Sequence, residues 1–273
     1  MRPVNQKEFG RLRRIEGRHN AVVKELRQAF SREELTSSGE CAIEGFRVIE
    51  EAVRSGLRMR AVFFSESAEP RAHKLLPQIA TQVEALLLPD KLFASAVPSQ
   101  TPQGVAALVY VKSFAADEVI QSSSPGPVLV IAGVQDPGNL GTIIRSAEAF
   151  GAKGILLGEG TVSAYNSKVV RASAGSVFRV PVAKIGTESA LALLRSHSFR
   201  LLATSSHKGT ALPEASLSGA TAIFVGNEGA GIDKKLLAQM DELIMIPHSA
   251  KVESLNAGVA ASIVLYEAAR QRA

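Results

Sequence analysis

Hydrophobic and polar positions in the second half of the chain alternate between short apolar runs and longer segments with helical spacing. Residues 128–132 and 222–225 are compact runs rich in β-branched side chains, a pattern typical of buried strands. Between them, one segment carries apolar side chains three to four positions apart, which predicts a helix with one buried face. These positions are Leu140, Ile143, Ile144, Ala147 and Phe150. Strands that alternate with helices predict an α/β domain with a parallel sheet.

The end of the chain repeats this pattern. Residues 241–246 predict a short strand, and a polar loop then leads into an alanine-rich segment that predicts a helix running to about Arg270. Within this segment, apolar side chains recur at helical spacing at Leu255, Val259, Ile263 and Tyr266.

The first half of the chain predicts a second, smaller α/β domain. Apolar runs at 61–64, 83–88 and 105–111 alternate with helical segments at 18–35, 45–55 and 71–80. Residues 122–127, with the sequence Ser-Ser-Ser-Pro-Gly-Pro, are rich in turn formers and indicate a linker. We therefore expect a first domain at 1–112, a linker at 113–126 and a second domain at 127–273.

Composition excludes several classes of protein. Of the 273 residues, 46% are hydrophobic and 21% are charged, which suits packed domains and not a disordered chain. The single cysteine, Cys41, excludes a disulfide within the chain and a cysteine-based metal site, and the five histidines lack metal-ligand spacing. Apolar stretches do not reach membrane-spanning length, and the start of the chain lacks a signal-peptide core. We expect a cytoplasmic protein with neither a metal nor a membrane partner.

Basic charge is concentrated at the start of the chain. The formal net charge is +5, and residues 1–32 alone hold nine basic and three acidic side chains. Four arginines lie just before and into the first predicted helix, namely Arg11, Arg13, Arg14 and Arg18. Such a cluster favours phosphate, which makes these residues candidates for RNA binding, although a solvated N-terminal arm would have the same composition.

Polar side chains follow three of the predicted strands. After the strand at 128–132, Asn139 lies at the entrance of the next helix, where an N-cap would be ordinary, and Arg145 projects from an early turn. Arg145 is either a solvated surface charge or a fixed cation for a phosphate. After the strand at 241–246, a loop ends in Ser254, which is free to bind a ligand or to act as an ordinary N-cap.

The third of these segments is the glycine-rich turn Gly226-Asn227-Glu228-Gly229. Its glycines let backbone approach a ligand closely. Their order does not match a dinucleotide-binding fingerprint, and the carboxylate of Glu228 would repel a phosphate. Glu228 therefore suits a cationic or hydroxyl-bearing ligand, or else it lies in solvent beside a tight turn.

These three segments together resemble a known set of motifs. Asn139-Leu140-Gly141 with Arg145 after three further residues, Gly226-Asn227-Glu228-Gly229, and Ser254-Leu255-Asn256 are similar to the three motifs of the SpoU (TrmH-type) RNA 2′-O-ribose methyltransferases. Each motif alone is weak, but three in the right order at strand ends make a specific match. The resemblance covers the chain from about residue 127 to its end.

The N-terminal part, with its segments 43–45, 50–52 and 101–105, resembles the small substrate-binding domain of many SpoU enzymes. One departure from the family lies in the third motif, where His248 and Ala250 stand at positions that often hold Met and Gly.

The resemblance implies both a fold and an activity. The fold would be an α/β C-terminal SPOUT domain with a parallel sheet and a deep trefoil knot, beside a smaller N-terminal α/β RNA-binding domain. The activity would be methyl transfer from S-adenosylmethionine to a ribose 2′-hydroxyl of structured RNA, with ribosomal RNA favoured over tRNA, and the protein would be a homodimer.

The resemblance also implies site residues. The catalytic candidates are Asn139, Arg145, Glu228, Ser254 and Asn256. The cofactor-binding candidates are Thr204, Gly226, Asn227, Ile246, Pro247 and Leu255. A guanidinium is a poor base, so we expect Arg145 to fix a phosphate and Glu228 to be the alternative proton acceptor. Two other function classes are weighed against this one: a non-catalytic RNA-binding protein, and a nucleotide-dependent oxidoreductase, which would need a different order of glycines.

Overall fold

The computed structural model describes residues 11–273 and divides the chain into two compact units. The first unit holds the described residues up to Lys112 together with Tyr165–Phe178, and the second holds Ser113–Ala164 and Arg179–Ala273. Both units are α/β, as the sequence predicts, and each has a sheet of its own.

The first unit is built on a five-stranded mixed sheet with the order β1-β4-β3-β5-β2. Strand β4 pairs parallel with β1 and β3, whereas β5 runs antiparallel to β3 and β2. Its elements are β1 (Leu12–Arg14), α1 (Ala21–Arg32), β2 (Glu40–Glu44), α2 (Phe46–Arg54), β3 (Met59–Ser65), α3 (Glu69–Leu75), β4 (Glu84–Leu88), α4 (Asp90–Ala96) and β5 (Val105–Tyr110), with α7 (Ser167–Ala172) from later in the chain.

One face of this sheet packs on α1 and α4. Phe63 and Leu86 from the sheet are fully buried against Leu26 of α1 and Phe93 of α4. Cys41, on β2, is 1% exposed, and burial raises the pKa of its thiol to about 12, so the thiol is part of the core.

The second unit is built on seven strands that are all parallel, in the order β10-β12-β9-β11-β6-β7-β8. Its elements are α5 (Ala116–Ile120), β6 (Val128–Ala132), α6 (Pro137–Ala149), β7 (Gly154–Leu157), β8 (Val182–Lys184), α8 (Thr187–Ser196), β9 (Arg200–Ser205), β10 (Thr210–Ala211), β11 (Thr221–Gly226), α9 (Lys234–Leu237), β12 (Glu242–Met245) and α10 (Ala257–Arg270).

The order of these strands decides where the polar segments meet. Strands β12, β9, β11 and β6 are consecutive in the sheet, and parallel strands bring their carboxyl ends to one edge. From β12 the chain returns across that edge, and α10 then packs against α6. The contact is close because Gly258 lies against α6: a Cβ at this position would be 3.3 Å from the carbonyl oxygen of Asn139. The hydroxyls of Ser146 and Ser262 are hydrogen-bonded across the same two helices at 2.7 Å.

The structure differs from the sequence-based expectations in three places. Residues 165–178 were expected in the second domain but pack with the first unit, where α7 lies against β2. Part of the linker expected at 113–126 forms the helix α5. This helix forms because Val119 and Ile120 are buried in the hydrophobic core of the second unit. Arg13 and Arg14, expected beside the first helix, lie on the edge strand β1, and that helix begins only at Ala21.

Residues 11–273 contain neither a metal-binding cluster nor a membrane-spanning helix. Within that range, groups of three or more His, Cys, Asp or Glu side chains that could hold a metal ion do not occur. Within the same range, none of the helices is long and apolar enough to cross a membrane.

Candidate active site

A cavity of about 470 Å³ opens at the carboxyl ends of β9, β11 and β12. Three strand-end segments form its walls: 204–207 after β9, 225–232 after β11, and the loop after β12. From that last loop the lining side chains are Ile246, His248, Glu253, Ser254 and Leu255, followed by Ala257 and Ala260 at the start of α10. The cavity therefore lies where a parallel sheet ordinarily binds its ligand.

Most of the cofactor-binding candidates line this cavity. Thr204, Gly226, Asn227, Ile246 and Leu255 are in its walls, whereas Pro247 is not. The prediction for Pro247 is therefore not supported by its position, since the cavity is lined by the residues on either side of it. The hydroxyl of Thr204 donates to the carbonyl oxygen of Phe224 at 3.2 Å, which fixes this side chain between β9 and β11.

The loop that follows Gly226 leaves no room for a side chain at this position. A Cβ at this position would lie 2.5 Å from the carbonyl carbon of Gly231 and 2.6 Å from Cγ1 of Ile232. The sequence interpretation was that this glycine leaves space for a ligand. The structure corrects the reason, since the space is taken by the returning end of the same glycine-rich loop.

Asn227 holds that loop in shape. Its Nδ2 donates to the carbonyl oxygen of Gly133 at 2.7 Å, and its Oδ1 accepts from the backbone N–H groups of Gly229 at 2.9 Å and Ala230 at 3.0 Å. Because both ends of the side-chain amide are engaged, Asn227 is placed to shape the cavity wall and not to offer its amide to a ligand. Its expected role as a cofactor contact stays a prediction, since Asn227 lines the cavity.

Side chains from the three sequence motifs form one hydrogen-bonded chain. Asn139 Nδ2 donates to Glu228 Oε1 at 2.9 Å, and Asn139 Oδ1 accepts from Asn256 Nδ2 at 2.8 Å. Asn256 Oδ1 in turn accepts from the backbone N–H of Val259 at 3.1 Å. Asn139 is only 9% exposed, so this buried amide is satisfied by one donor and one acceptor from the other two motifs.

The side chain of Asn139 is available for this hydrogen-bonded chain because another residue caps α6. Asp136 is the N-cap of α6 and accepts from the backbone N–H of Asn139 at 2.8 Å, so the N-cap role considered for Asn139 is wrong. At the last helix the N-cap is Asn256 and not Ser254. Ser254 is exposed and lines the cavity, with its hydroxyl free of a capping role.

Arg145 lies on α6 but not in the cavity wall. It is exposed, and within residues 11–273 its guanidinium forms neither a hydrogen bond nor an ion pair. Glu228, also exposed, is the residue that belongs to both the cavity and the hydrogen-bonded chain. The site thus has a cavity that could hold a cofactor and, beside it, a polar chain of catalytic candidates.

Two histidines and an acid were missed as cavity residues. His207 and Glu253 line the cavity with His248, which the sequence analysis noted only as a departure from the family pattern. His248 Nδ1 donates to the carbonyl oxygen of Ile246 at 2.7 Å, and its ring centroid lies 6.3 Å from that of His207. The position of His207 just after a strand end was the available signal.

The N-terminal arginines predicted to bind RNA are largely engaged within the fold. Arg11 donates to the carbonyl oxygens of Leu76 at 3.0 Å and Ile79 at 2.8 Å. Arg13 is paired with Glu84, and Arg14 with Glu66.

Arg18 is exposed, and its Nε donates to His19 at 3.3 Å. The prediction is therefore corrected for Arg11, whose donors support the sheet edge, and weakened for Arg13 and Arg14, whose charges are balanced by carboxylates. These contacts could not be foreseen because their partners lie 52 or more residues away along the chain.

Family models match both parts of the chain. The model of the SpoU rRNA methylase family matches residues 126–266, and that of the MRM3-like substrate binding domain matches residues 20–107. The first match spans more than half of the sequence, so the chain belongs to the SpoU rRNA methylase family. The resemblance drawn from the three motifs is confirmed.

Relatives with known targets cover nearly the whole chain. The 23S rRNA (guanosine(2553)-2′-O)-methyltransferase RlmP of Bacillus subtilis is 32% identical over 93% of this chain and 98% of its own length. The 23S rRNA (uridine(2479)-2′-O)-methyltransferase of Streptomyces viridochromogenes is 29% identical over 89% of this chain and 86% of its own length.

Solved structures share the complete fold. The AdoMet-bound rRNA methyltransferase from Sinorhizobium meliloti superposes with a TM-score of 0.80 at 26% identity, covering 96% of this chain and 98% of that one. The SpoU methyltransferase AviRb from Streptomyces viridochromogenes, in complex with AdoMet, gives a TM-score of 0.78 at 27% identity over 93% and 98% of the two chains. The predicted α/β fold with a parallel sheet and a smaller N-terminal domain is confirmed.

Proposed function

We propose that this protein transfers a methyl group from S-adenosylmethionine to a ribose 2′-hydroxyl of ribosomal RNA. The observation that carries the proposal is the hydrogen-bonded chain from Glu228 through Asn139 to Asn256, which joins all three family motifs at the edge of the cavity. A non-catalytic relative would have no need to keep these three side chains in mutual contact.

The cavity fits S-adenosylmethionine in size and chemistry. Its volume of about 470 Å³ lies in the range of small-molecule sites. Its walls combine apolar side chains, such as Ile244 and Leu255, with backbone groups at three strand ends, which suit an adenine and an amino-acid moiety. Two carboxylates, Glu228 and Glu253, face a ligand that carries a positive sulfonium. The same two carboxylates would repel the phosphates of a nucleotide. They therefore argue against a nucleotide-dependent oxidoreductase.

S-adenosylmethionine supplies an activated methyl group, so the protein must align the acceptor hydroxyl and remove its proton. Alignment falls to Asn139 and Asn256, whose amides are fixed by one another and by α10. Glu228 is the proton acceptor in this proposal, because its carboxylate is positioned by Asn139 and is accessible. Arg145, with no partner of its own among residues 11–273, binds an RNA phosphate beside the acceptor ribose.

Ribosomal RNA is the favoured substrate for two reasons. The whole-length relatives with assigned targets act on 23S rRNA, and the first unit matches a substrate-binding domain. The relatives favour rRNA over tRNA as the acceptor, and the matched domain supports binding of that substrate by the first unit.

The homodimer that the resemblance implies is part of the proposal. On α10, Val259, Ile263 and Tyr266 are 46%, 36% and 55% exposed and lie on one face of the helix. Val252 in the preceding loop is a further exposed apolar side chain. An apolar stripe on the helix that follows the third motif supports burial against a second copy. We propose three further properties with it: a trefoil knot in the second unit, a cytoplasmic location, and methyl transfer that needs no metal.

The test uses RNA from a strain that lacks the protein. Mapping 2′-O-methyl groups in that RNA against the wild type should reveal one missing site in rRNA. A transcript with a single 2′-deoxynucleotide at that site should bind nearly as well as the all-ribose transcript but accept no labelled methyl group, with or without a chelator. Methyl transfer to the deoxy transcript would place the modification on a base and refute the proposal.

A further inference from the structure

Arginines of the first unit fall into two groups according to their contacts. In one group, Arg13, Arg14 and Arg60 are paired with carboxylates, while Arg11 and Arg27 donate to backbone carbonyl oxygens. These charges are balanced or engaged inside the unit, so they offer little to a polyanion.

Members of the other group meet at the turn from β2 to α2. The guanidinium carbon of Arg71 lies 3.7 Å from the ring centroid of Phe46, the first residue of α2. On α7, Arg171 donates to the hydroxyl of Ser99 at 2.9 Å, and that hydroxyl donates at 2.7 Å to Glu44, the last residue of β2. Both arginines are thus anchored to one turn by different contacts.

Two further cations belong to this place. Arg47, the second residue of α2, is exposed, and so is Lys168, which lies three residues before Arg171 on the same face of α7. Within residues 11–273, Arg47, Arg71 and Lys168 form no ion pair.

Three acids lie at this end of β2 and on α2, against the four exposed basic side chains of this place. Glu50, on α2, is half-buried. Glu44 is 4% exposed and bonded to Ser99, and Glu51, one turn along α2, is paired with Arg54. The turn therefore presents its positive charge to solvent.

We propose that this turn, with Arg47, Arg71, Lys168 and Arg171, is the surface through which the first unit binds the phosphate backbone of the substrate RNA. We refer to these four residues as the β2–α2 basic surface. The inference rests on the proposed function, since it takes RNA to be the substrate. It transfers the role expected for the N-terminal arginines to residues whose charge is not already balanced.

The geometry suits phosphate contacts. Arg71 is held over an aromatic ring and Arg171 by a hydroxyl, so less side-chain freedom is lost when either one binds. The first N–H groups of α2 have no side-chain cap, because its N-cap is Gly45. Contacts of this kind position a domain on RNA without reading its sequence.

The test compares two double variants of the full-length protein. Arg47→Gln with Arg71→Gln removes half of the β2–α2 basic surface. Arg32→Gln with Arg58→Gln is the matched control, because Arg32 is exposed and Arg58 is stacked on Tyr110 at 3.9 Å, as Arg71 is on Phe46. Tyr110 pairs with Glu40 and so lies at the opposite end of β2 from Glu44.

The probe is an unmethylated large-subunit rRNA transcript, titrated over a series of salt concentrations. The slope of log affinity against log salt should fall by about two for the first variant, at roughly 0.9 per phosphate contact. The control should keep the wild-type slope. S-adenosylmethionine affinity, measured by calorimetry, should be unchanged in both, which shows that the second unit is intact. Thermal unfolding followed by circular dichroism should match the wild type in both, which shows that the first unit is folded.

Two results would overturn the inference. A wild-type slope in Arg47→Gln with Arg71→Gln would remove the β2–α2 basic surface from the RNA interface and leave the proposed function intact. Failure of the wild-type protein to bind rRNA at all would refute both the inference and the proposed function.

Discussion

The side-chain amide of Asn256 donates to the side-chain oxygen of Asn139 over 2.8 Å. Asn139 lies in the first turn of α6 and Asn256 caps α10, so the bond joins the starts of two helices whose bonded residues are 117 positions apart. It can form only when α10 packs against α6. The bond therefore couples the completion of the fold to the assembly of the catalytic candidates.

That coupling predicts a non-additive pair of substitutions. Asn139→Ala should lower the free energy of unfolding by about 1–3 kcal/mol, because it removes the bonds to Glu228 and Asn256, each worth about 0.5–1.5 kcal/mol. The double variant with Asn256→Ala should be less destabilised than the sum of the single variants, with a coupling of about 0.5–3 kcal/mol. Urea denaturation of the four proteins measures this coupling, and strict additivity would mean that the bond contributes nothing to stability.

Gly226→Ala should both destabilise the protein and weaken cofactor binding. Its Cβ would meet the backbone of Gly231, which cannot swing aside as a side chain could, so a cost of about 1–3 kcal/mol is expected. Gly229→Ala, in the same turn, is the control for stability: the nearest atom to its Cβ is Asn227 Oδ1 at 3.6 Å. Denaturation and titration calorimetry with S-adenosylmethionine check both effects. Equal behaviour of the two variants would show that the loop adapts.

Arg145→Ala should abolish methyl transfer while leaving the protein intact. Because the guanidinium has no partner within residues 11–273, the stability change should stay within about 0.5 kcal/mol. S-adenosylmethionine affinity should remain within a few-fold, since Arg145 does not line the cavity. Arg145→Lys should also fail, because an ammonium does not replace the planar donor fork. Loss of cofactor binding and activity together would mean that Arg145 has a structural role.

Glu267, near the end of α10, predicts a pH-dependent contribution to stability. Hydrogen bonds from Arg270 and Gln271 lower the pKa of its carboxyl from 4.5 to about 2. A lowered pKa in the folded state means that the contribution is fully present above pH 4.5 and is lost as the pH falls towards 2. Glu267→Gln should therefore be less stable than the wild type at pH 7, with a difference that shrinks over that interval. Urea titrations at a series of pH values test this, and a difference independent of pH would contradict it.

Ile263→Asp should convert the expected homodimer to a monomer. The residue is 36% exposed in the middle of the apolar stripe on α10, and a carboxylate buried in a subunit interface would lack a partner. Light scattering after size exclusion measures the mass, and Ile263→Leu should leave it unchanged. An Ile263→Asp variant that stays dimeric would place the interface elsewhere, and a wild-type protein that is monomeric at micromolar concentration would refute the homodimer.

Local sequence was sufficient for the elements that carry their own signal. The helix at 137–149 and the strands at 128–132 and 221–226 follow from the pattern of apolar residues. The spacing of these residues along the sequence shows which face of each element is buried. The three motifs were also visible as strings, and so were their positions at strand ends. Even so, the stripe of Val259, Ile263 and Tyr266 on the last helix is exposed, while Ala261, Val264 and Leu265 on the same helix are fully buried. Helical spacing identifies a face but not its partner.

Tertiary structure alone decided which polar groups meet. The parallel order β12-β9-β11-β6 brings segments from separate parts of the chain to one edge, where Asn139 finds Glu228 and Asn256. Within residues 11–273 it also placed Arg11 on backbone carbonyls and left Arg47 and Arg71 without an ion pair, although all three are equivalent in a count of charges. Sequence fixes the identity of a charge, but its availability depends on neighbours that only long-range packing supplies.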